Sequence, residues 1–234
     1  MKQYALFDWD GTLRAGYTLF EWIDFLRERG GILSPEVLKR HDGLLKAYKE
    51  GRITHDVLAA ESCLNYECGI RGLNTGLYDR LKEEYSHYDR IRQLPFVPHL
   101  FRWLKDKEIA PVIITGAPLD MIRLYFEEYG IKEAYGHRLE EKNGALTGRA
   151  LENHGFGKGR MTEECRERFG GSPVLAAGDS ESDLPLLKAA GIALVVGGKK
   201  SLLEQLPHGI SVDLEETGEE LIKYLEQRIG EIKN

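Results

Sequence analysis

The chain has 234 residues, which is enough for one substantial globular domain. Its composition, 42% hydrophobic and 30% charged residues, is typical of a soluble globular protein and excludes long disordered stretches. Acidic residues outnumber basic ones by 38 to 32, and the formal charge of −6 argues against nucleic acid as a partner. No apolar run approaches the roughly 20 residues of a membrane span, and the N-terminal run turns acidic too early for a signal peptide, so we expect a cytoplasmic protein without a membrane partner.

The first part of the chain combines one short strand with a long helical region. An apolar strand over residues 3–7 ends in the polar turn Asp8-Trp-Asp-Gly-Thr12. From residue 17 to about residue 93 the apolar spacing is helical, and Ser34-Pro35-Glu36 has the composition of a helix start. The later helices of this region are predicted near residues 35–50, 54–64 and 74–86.

Strand and helix patterns alternate from residue 94 onward. Strands are predicted over residues 110–115, 174–177 and 193–196, with a hairpin that turns at Asn143-Gly144. Helices are predicted near residues 98–107, 119–129, 158–169, 183–190, 201–206 and 218–229. This alternation is typical of a parallel sheet with helices on both faces. We therefore predict a doubly wound α/β core of residues 1–14 and 94–234, interrupted by an all-helical insert of residues 15–93.

Polar residues follow three of the predicted strands. Asp8 and Asp10 follow the first strand, Thr115 ends the second, and Asp179 and Asp183 follow the third. Ligands of doubly wound sheets bind beyond the carboxyl ends of the strands, so these side chains should meet at one edge. Four carboxylates there would repel one another unless a cation lay between them, and oxygen ligands suit Mg²⁺. The sequence therefore predicts a magnesium site.

The same residue types suit phosphoryl transfer. An ionised Asp8 can attack phosphorus without a general base once Mg²⁺ neutralises the phosphate charge. Asp10 projects the same way in an extended chain, and like-charge repulsion can raise its pKa so that it holds a proton for the leaving group. The Thr115 hydroxyl, the Gly116 N–H and the Lys158 ammonium are candidates to bind the phosphate oxygens.

Four motifs occur in a fixed order: Asp8-Trp-Asp-Gly-Thr12, Ile113-Ile-Thr-Gly-Ala-Pro118, Lys158 and Gly178-Asp-Ser-Glu-Ser-Asp183. This set resembles the motifs of the haloacid dehalogenase (HAD) superfamily, and the helical insert resembles its C1-type cap. The spacing and the Asn143-Gly144 hairpin are most similar to the phosphoserine-phosphatase-like branch. The resemblance implies a Rossmann-like core over which the cap closes on the substrate.

The resemblance also implies catalytic roles. Asp8 would be the nucleophile that becomes an aspartyl-phosphate, and Asp10 would be the general acid and base. Thr115 and Gly116 would bind the phosphate, and Lys158 would steady both the nucleophile and the phosphate.

The metal set implied by the resemblance comprises Asp8, Asp10 through its backbone carbonyl, Asp179, and Asp183 as a support acting through water or hydrogen bonds. The expected function is Mg²⁺-dependent hydrolysis of a small phosphorylated metabolite, a phosphate monoester. A phosphotransferase or phosphomutase of the same fold and a non-catalytic phosphate-sensing protein are the alternatives. The sequence specifies neither the ester nor an oligomeric state.

Two positions depart from the serine-specific members of the branch. Those enzymes have a substrate-binding glutamate nine residues after the nucleophile, where this chain has Tyr17, and Glu21 comes four residues later. An ungapped alignment of the cap places Ser62 where they use an arginine for the substrate carboxylate. We therefore expect phosphoserine to be a poor substrate, with a neutral or aromatic leaving group preferred.

The remaining histidines and cysteines predict no further site. His137 and His154 lack metal-ligand spacing and are expected on the surface or on the hairpin. Cys63, Cys68 and Cys165 lack CxxC spacing, so neither a disulfide framework nor a zinc site is predicted.

Overall fold

A computed structural model describes residues 3–232 of the chain. Its strands are β1 (Tyr4–Phe7), β2 (Ala110–Pro118), β3 (Glu133–Lys142), β4 (Ala145–Glu152), β5 (Leu175–Gly178), β6 (Ile192–Val196) and β7 (Gly209–Val212). Its helices are α1 (Thr18–Arg29), α2 (Pro35–Lys49), α3 (His55–Gly69), α4 (Thr75–Asp89), α5 (Val97–Asp106), α6 (Leu119–Ile122), α7 (Phe126–Tyr129), α8 (Lys158–Phe169), α9 (Leu184–Ala189), α10 (Lys200–Leu203) and α11 (Glu219–Ile232).

The sheet places β1 at its centre, in the order β4-β3-β2-β1-β5-β6-β7. β1 pairs in parallel with β2 and β5, so that Phe7 lies opposite both Ile113 and Ala177. Among the described strands, the hairpin strand β4 alone runs antiparallel to its neighbour. The residues that follow β1, β2 and β5 therefore meet at one edge of the sheet, as the α/β prediction requires.

Both faces of the sheet are buried. Ala5 and Phe7 of β1 pack on one face with apolar residues of α5 and α11. Tyr4 and Leu6 pack on the other face with residues of α8 and α9. Alternate residues of a strand point to opposite faces, so a strand covered on both sides is apolar throughout.

The helices α1–α4 have a core of their own with buried aromatic rings. The indole N–H of Trp22 donates to the Tyr66 hydroxyl at 2.8 Å, and the hydroxyls of Tyr66 and Tyr78 lie 3.1 Å apart. The Tyr85 ring meets the Trp22 ring edge-on. The polar atoms of Trp22, Tyr66 and Tyr78 thus find partners inside the core, which makes the burial of these three side chains favourable.

The chain crosses between the sheet and this helical region twice, and the two crossing segments are hydrogen-bonded to each other. Ala15 N–H donates to the Arg92 carbonyl at 2.7 Å, and Leu94 N–H donates to the Leu13 carbonyl at 3.1 Å. The chain thus leaves the sheet and returns to it at one place, directly after the turn that contains Asp8.

The structure differs from the sequence-based expectations in three details. Residues 119–129 are helical as predicted, but a 3₁₀ turn, Arg123–Tyr125, lies between α6 and α7. Strand β7 was not predicted, because it is short and only Val212 of its four residues is fully buried. His137 lies on the hairpin strand β3 as expected, but it is buried and within hydrogen-bonding distance of Glu67, at 2.9 Å.

Within residues 3–232, no helix is both long and apolar enough to cross a membrane.

Candidate active site

Three carboxylates come together at the carboxyl edge of the sheet. Oxygen atoms of Asp8, Asp179 and Asp183 all lie within 4.8 Å of one another. Asp8 directly follows β1, and Asp179 directly follows the neighbouring strand β5. The sheet topology therefore brings together three of the four carboxylates that the sequence predicted to meet at this edge, and Asp10 is the exception.

Lys158 supplies the cation that faces this cluster. Its ammonium lies 2.8 Å from Asp8 Oδ1 and 2.6 Å from Asp183 Oδ1, and all three side chains are buried. Burial raises the pKa of Asp8, and the charge of Lys158 opposes that rise. Burial, with the nearby charge of Asp183, also raises the pKa of Asp179. The cluster therefore favours binding of further positive charge.

Asp183 holds the turn that presents Asp179. Its Oδ2 accepts hydrogen bonds from the N–H groups of Asp179 and Ser180, at 3.1 and 2.9 Å, and from the Ser180 hydroxyl at 2.8 Å. Its Oδ1 accepts from Lys158. The Asp183 carboxylate thus has four hydrogen-bond donors and fixes the turn that carries Asp179, so its predicted supporting role stays compatible with this geometry.

Asp10 lies outside the cluster of three carboxylates. Its Oδ1 accepts from the N–H of Thr18 at 3.0 Å and from the Thr18 hydroxyl, and the Arg14 guanidinium lies 3.7 Å away. Burial raises the pKa of Asp10 to about 6, against the lowering effect of Arg14 and Thr18. A carboxyl with this pKa can both give and accept a proton near neutral pH.

The predicted phosphate-binding residues lie in the same cavity. Thr115 Oγ1 accepts from the Ala117 N–H at 3.1 Å, which leaves the hydroxyl proton of Thr115 available to a ligand. Gly116 is in close contact with Gly155, whose added Cβ would lie 2.6 Å from the Gly116 Cα. Because both residues are glycine, the segment after Thr115 and the segment after β4 can approach each other closely in the wall of the cavity.

The cavity has a volume of about 300 Å³ and lies between the sheet edge and the α1–α4 helices. The sheet side contributes the predicted residues Asp8, Asp10, Thr115, Gly116, Lys158 and Asp179. The helical side contributes Tyr17, Leu19, Phe20, His55, Asp56, Ala59 and Cys63. Asn153 and Phe156 complete the wall from the segment that follows β4.

Two of the positions compared with serine-specific enzymes do not line the cavity. Ser62 is fully buried, while its neighbour Cys63 contributes to the wall. Glu21 is paired with Arg14 at 2.8 Å and with Arg92 at 3.2 Å. The helical spacing of α3 could have indicated Ala59 and Cys63 together, since residues four apart lie on one face of a helix.

A family model for haloacid dehalogenase-like hydrolases matches residues 5–188. The chain belongs to this family. The match covers strands β1–β5 and the α1–α4 helices of this HAD hydrolase, and it confirms the family and the fold class predicted from the four motifs.

Curated relatives of this HAD hydrolase include two archaeal phosphoserine phosphatases. The one from Archaeoglobus fulgidus is 28% identical over 217 residues, which are 90% of this chain and 57% of the relative. The one from Halobacterium salinarum is 28% identical over 214 residues, which are 88% of this chain and 90% of the relative. The chain therefore spans little more than half the length of the first relative and most of the second.

Solved structures show the same fold. A phospho-aspartyl intermediate analogue of phosphoserine phosphatase has a TM-score of 0.65 and 21% identity, and the match covers 95% of this chain and 98% of that one. A Bordetella pertussis protein of unknown function has a TM-score of 0.74 and 22% identity, with 92% and 99% of the chains covered.

Proposed function

We propose that this HAD hydrolase is a Mg²⁺-dependent phosphatase that cleaves a small phosphate monoester through an aspartyl-phosphate at Asp8. The observation that carries the proposal is the pairing of Asp8 with Lys158 at 2.8 Å, inside a cavity that Asp179 and Thr115 also line. Relatives named phosphoserine phosphatases support the phosphatase activity predicted from the motifs.

The donor set fits a magnesium ion. Carboxylate oxygens of Asp8, Asp179 and Asp183 lie within 4.8 Å of one another, and hard oxygen donors are the ligands that Mg²⁺ prefers. Asp8 and Asp179 would hold the ion, with the backbone carbonyl of Asp10, while Asp183 would keep Asp179 in place. When bound, Mg²⁺ supplies positive charge that offsets the phosphate charge facing Asp8.

In the first step, a carboxylate oxygen of Asp8 attacks phosphorus and forms an acyl-phosphate bond, while the bond from phosphorus to the ester oxygen breaks. Asp10 donates its proton to that oxygen, so the leaving group departs as a neutral alcohol. Lys158, Thr115 and the Gly116 N–H hold the phosphate oxygens, whose negative charge persists through the transition state.

In the second step, a water molecule attacks phosphorus and Asp10 takes up its proton. The bond from phosphorus to Asp8 breaks, inorganic phosphate leaves, and the Asp8 carboxylate and the protonated Asp10 are restored. The Lys158 ammonium, 2.8 Å from Asp8, favours the ionised form of the carboxylate against the effect of burial and holds it in place for the next cycle.

We also propose that residues 15–93 form a cap domain over a core of residues 1–14 and 94–234. The paired crossings near Ala15 and Leu94 lie close to the turn that contains Asp8 and Asp10, so a movement there would open and close the cavity. Closure would exclude water from the first step.

The cytoplasmic location stays a prediction from the sequence.

Substitution of the two aspartates tests the mechanism. Asp8→Asn should lower kcat at least ~10³-fold because an amide is a poor nucleophile, and Asp10→Asn should lower it ~10²–10⁴-fold because proton transfer is lost. Phosphate release is the measurement, and circular dichroism checks that both variants stay folded. A fluoride complex of beryllium, which mimics phosphoryl-aspartate, should bind the wild type and not Asp8→Asn. Near wild-type turnover by Asp8→Asn would exclude the covalent mechanism.

Removal of the metal is the second test. Treatment with EDTA should abolish turnover and added Mg²⁺ should restore it, while Ca²⁺ should restore it poorly because its larger radius changes the coordination. Asp179→Ala should mainly raise the Mg²⁺ concentration needed for half-maximal activity. Full activity in a metal-free preparation would contradict the proposal. Phosphate transfer to an added alcohol in preference to water would instead identify a phosphotransferase.

A further inference from the structure

The cavity offers no free cation to a substrate. Among the described residues that line it, Lys158 is the one lysine and there is no arginine. Asp8 and Asp183 lie 2.8 and 2.6 Å from the Lys158 ammonium, which is therefore committed to the phosphate end of the site. The leaving-group end has no positive partner of this kind.

The cap side of the cavity is instead largely aromatic and aliphatic. The Tyr17 ring centroid lies 5.2 Å from that of Phe20 and 5.5 Å from that of His55, so these three rings form one connected surface. Ala59 and Cys63 of α3 extend it inward. Flat surfaces of this kind bind planar or apolar groups by contact rather than by charge.

Two exposed rings stand on different segments of the wall. Tyr17, 42% exposed, comes from the start of α1, and Phe156, 56% exposed, comes from the segment after β4. Partial burial, with the negative charge of Asp179, raises the pKa of Tyr17 to about 12, so its hydroxyl stays protonated. Large exposed rings that line a cavity are the surfaces a ligand can cover.

The charges around the cavity disfavour a second anionic group on the substrate. Asp56 is the carboxylate that the cap side contributes, and Asp8, Asp10 and Asp179 lie on the sheet side. A substrate carboxylate there would therefore meet like charges, and among the described lining residues it would find no lysine or arginine other than the committed Lys158. Unpaired charge at a binding site is strongly discriminated against.

We propose, on the basis of the phosphatase function above, that this site selects phosphate monoesters of uncharged, flat or aromatic alcohols and rejects alcohols that carry a carboxylate. Tyr17, Phe20 and Phe156 are the specificity-determining rings. They contact the leaving group and take no part in phosphoryl transfer.

The test compares three alkyl phosphates whose alcohols leave with similar chemical ease: benzyl phosphate, 2-hydroxyethyl phosphate and phosphoserine. We expect kcat/KM to fall in that order, with benzyl phosphate at least roughly 10-fold above phosphoserine. Tyr17→Ala should lower kcat/KM for benzyl phosphate roughly 3- to 10-fold more than kcat/KM for 2-hydroxyethyl phosphate, while Tyr17→Phe should keep the wild-type ratio between the two esters. Tyr88→Ala is the matched control, because Tyr88 is an exposed tyrosine of α4 outside the cavity lining, and its ring packs on Tyr85 rather than on a lining residue.

The outcomes separate this inference from the function on which it rests. If none of the three esters releases phosphate, the phosphatase proposal fails. If phosphoserine is hydrolysed best, the phosphatase proposal stands and the selectivity inference is overturned. Equal effects of Tyr17→Ala and Tyr88→Ala on kcat/KM for benzyl phosphate would overturn the role of the Tyr17 ring.

A gain of charge gives an independent test. Ala59→Arg places a cation on the cap wall, so it should raise kcat/KM for phosphoserine relative to benzyl phosphate at least roughly 10-fold. Ala60→Arg, one residue further along α3 and outside the cavity lining, should leave the ratio unchanged. No change of the ratio in a folded Ala59→Arg protein would overturn the inference that a missing cation excludes carboxylates.

Discussion

Gly11 allows the turn after Asp10 to pass directly over Asp179. Its φ of +76° lies in the left-handed region, and an added Cβ would stand 2.7 Å from Asp179 Cγ. Gly11→Ala therefore adds backbone strain of about 1–2 kcal/mol and displaces Asp179 from the cluster. We expect roughly a 10²-fold loss of kcat, because a small displacement of a catalytic group is that costly. Steady-state phosphate release measures the loss.

Gly72 provides the matched control for this prediction. Its φ is +83°, and an added Cβ would meet nothing within 4 Å. Gly72→Ala should therefore lower the free energy of unfolding by a similar 1–2 kcal/mol, as an order of magnitude, and leave kcat unchanged. Similar losses of activity in both variants would show that strain alone, and not the contact with Asp179, explains the effect.

At the level of single residues, the sequence predicted the sheet edge of the site better than the cap wall. Asp8, Thr115 and Asp179 follow strands whose ends are fixed side by side, so strand order alone brings them together. On α3, a shift of one residue rotates a side chain by about 100° around the helix. An ungapped alignment therefore selected Ser62, which is buried, instead of Cys63, which lines the cavity.

Helix α2 contains a buried histidine that should make the cap sensitive to acid. His41 is fully buried beside the Phe20 ring, and neither ring nitrogen has a hydrogen-bond partner in the described structure. Burial lowers the pKa of His41, while Asp24 and Asp42 raise it and Arg27 lowers it. The folded state therefore binds this proton less readily than the unfolded state.

The free energy of unfolding should fall as the pH drops below about 6.5, which is the pKa of histidine in the unfolded chain. Below this pH the unfolded chain takes up a proton at His41, whereas the folded protein does so only at lower pH, so protonation favours unfolding. His41→Phe should remove the contribution of His41 to this pH dependence, so the free energy of unfolding of the variant should fall less between pH 7.5 and pH 5. Urea unfolding at both pH values measures the difference. His87→Gln, at an exposed position of α4, should keep the wild-type decline. If wild type and His41→Phe lose stability equally between these pH values, His41 is not the cause of the acid sensitivity.

Whole helices were predictable wherever local signals agreed. The starts of α2, α3 and α4 are set by local N-capping. The capping side chains each accept a hydrogen bond from the N–H three residues later, and they are Ser34, Thr54 and Asn74. The apolar spacing of residues 119–129 predicted one helix, and these residues are helical throughout, but the middle turn has 3₁₀ rather than α-helical geometry. Met121 packs with the α1–α4 core while Ile122 packs with the sheet core, so tertiary contacts outweigh the local pattern.

At the scale of the whole molecule, one buried arginine connects the core, the helical insert and the proposed general acid. Arg14 is 1% exposed and lies on the outgoing crossing, where it pairs with Gln93 of the returning one. Its guanidinium contacts Glu21 of α1 at 2.8 Å and Asp89 at the end of α4 at 2.9 Å. The same group lies 3.7 Å from Asp10. A single side chain therefore links Glu21 and Asp89 of the helical insert to Asp10 of the core.

Arg14→Met should lower the free energy of unfolding by about 3–5 kcal/mol, because Asp89 and Glu21 lose a buried counter-charge. Arg92→Met is the control: Arg92 also contacts Glu21, at 3.2 Å, but its side chain is 41% exposed, so the loss should stay below about 1 kcal/mol. Urea unfolding measures both. Any folded fraction of Arg14→Met should also turn over more slowly than Arg92→Met, since Asp10 is released from its partner. Equal stability and equal turnover of the two variants would show that the ion pairs of Arg14 do not link cap and core.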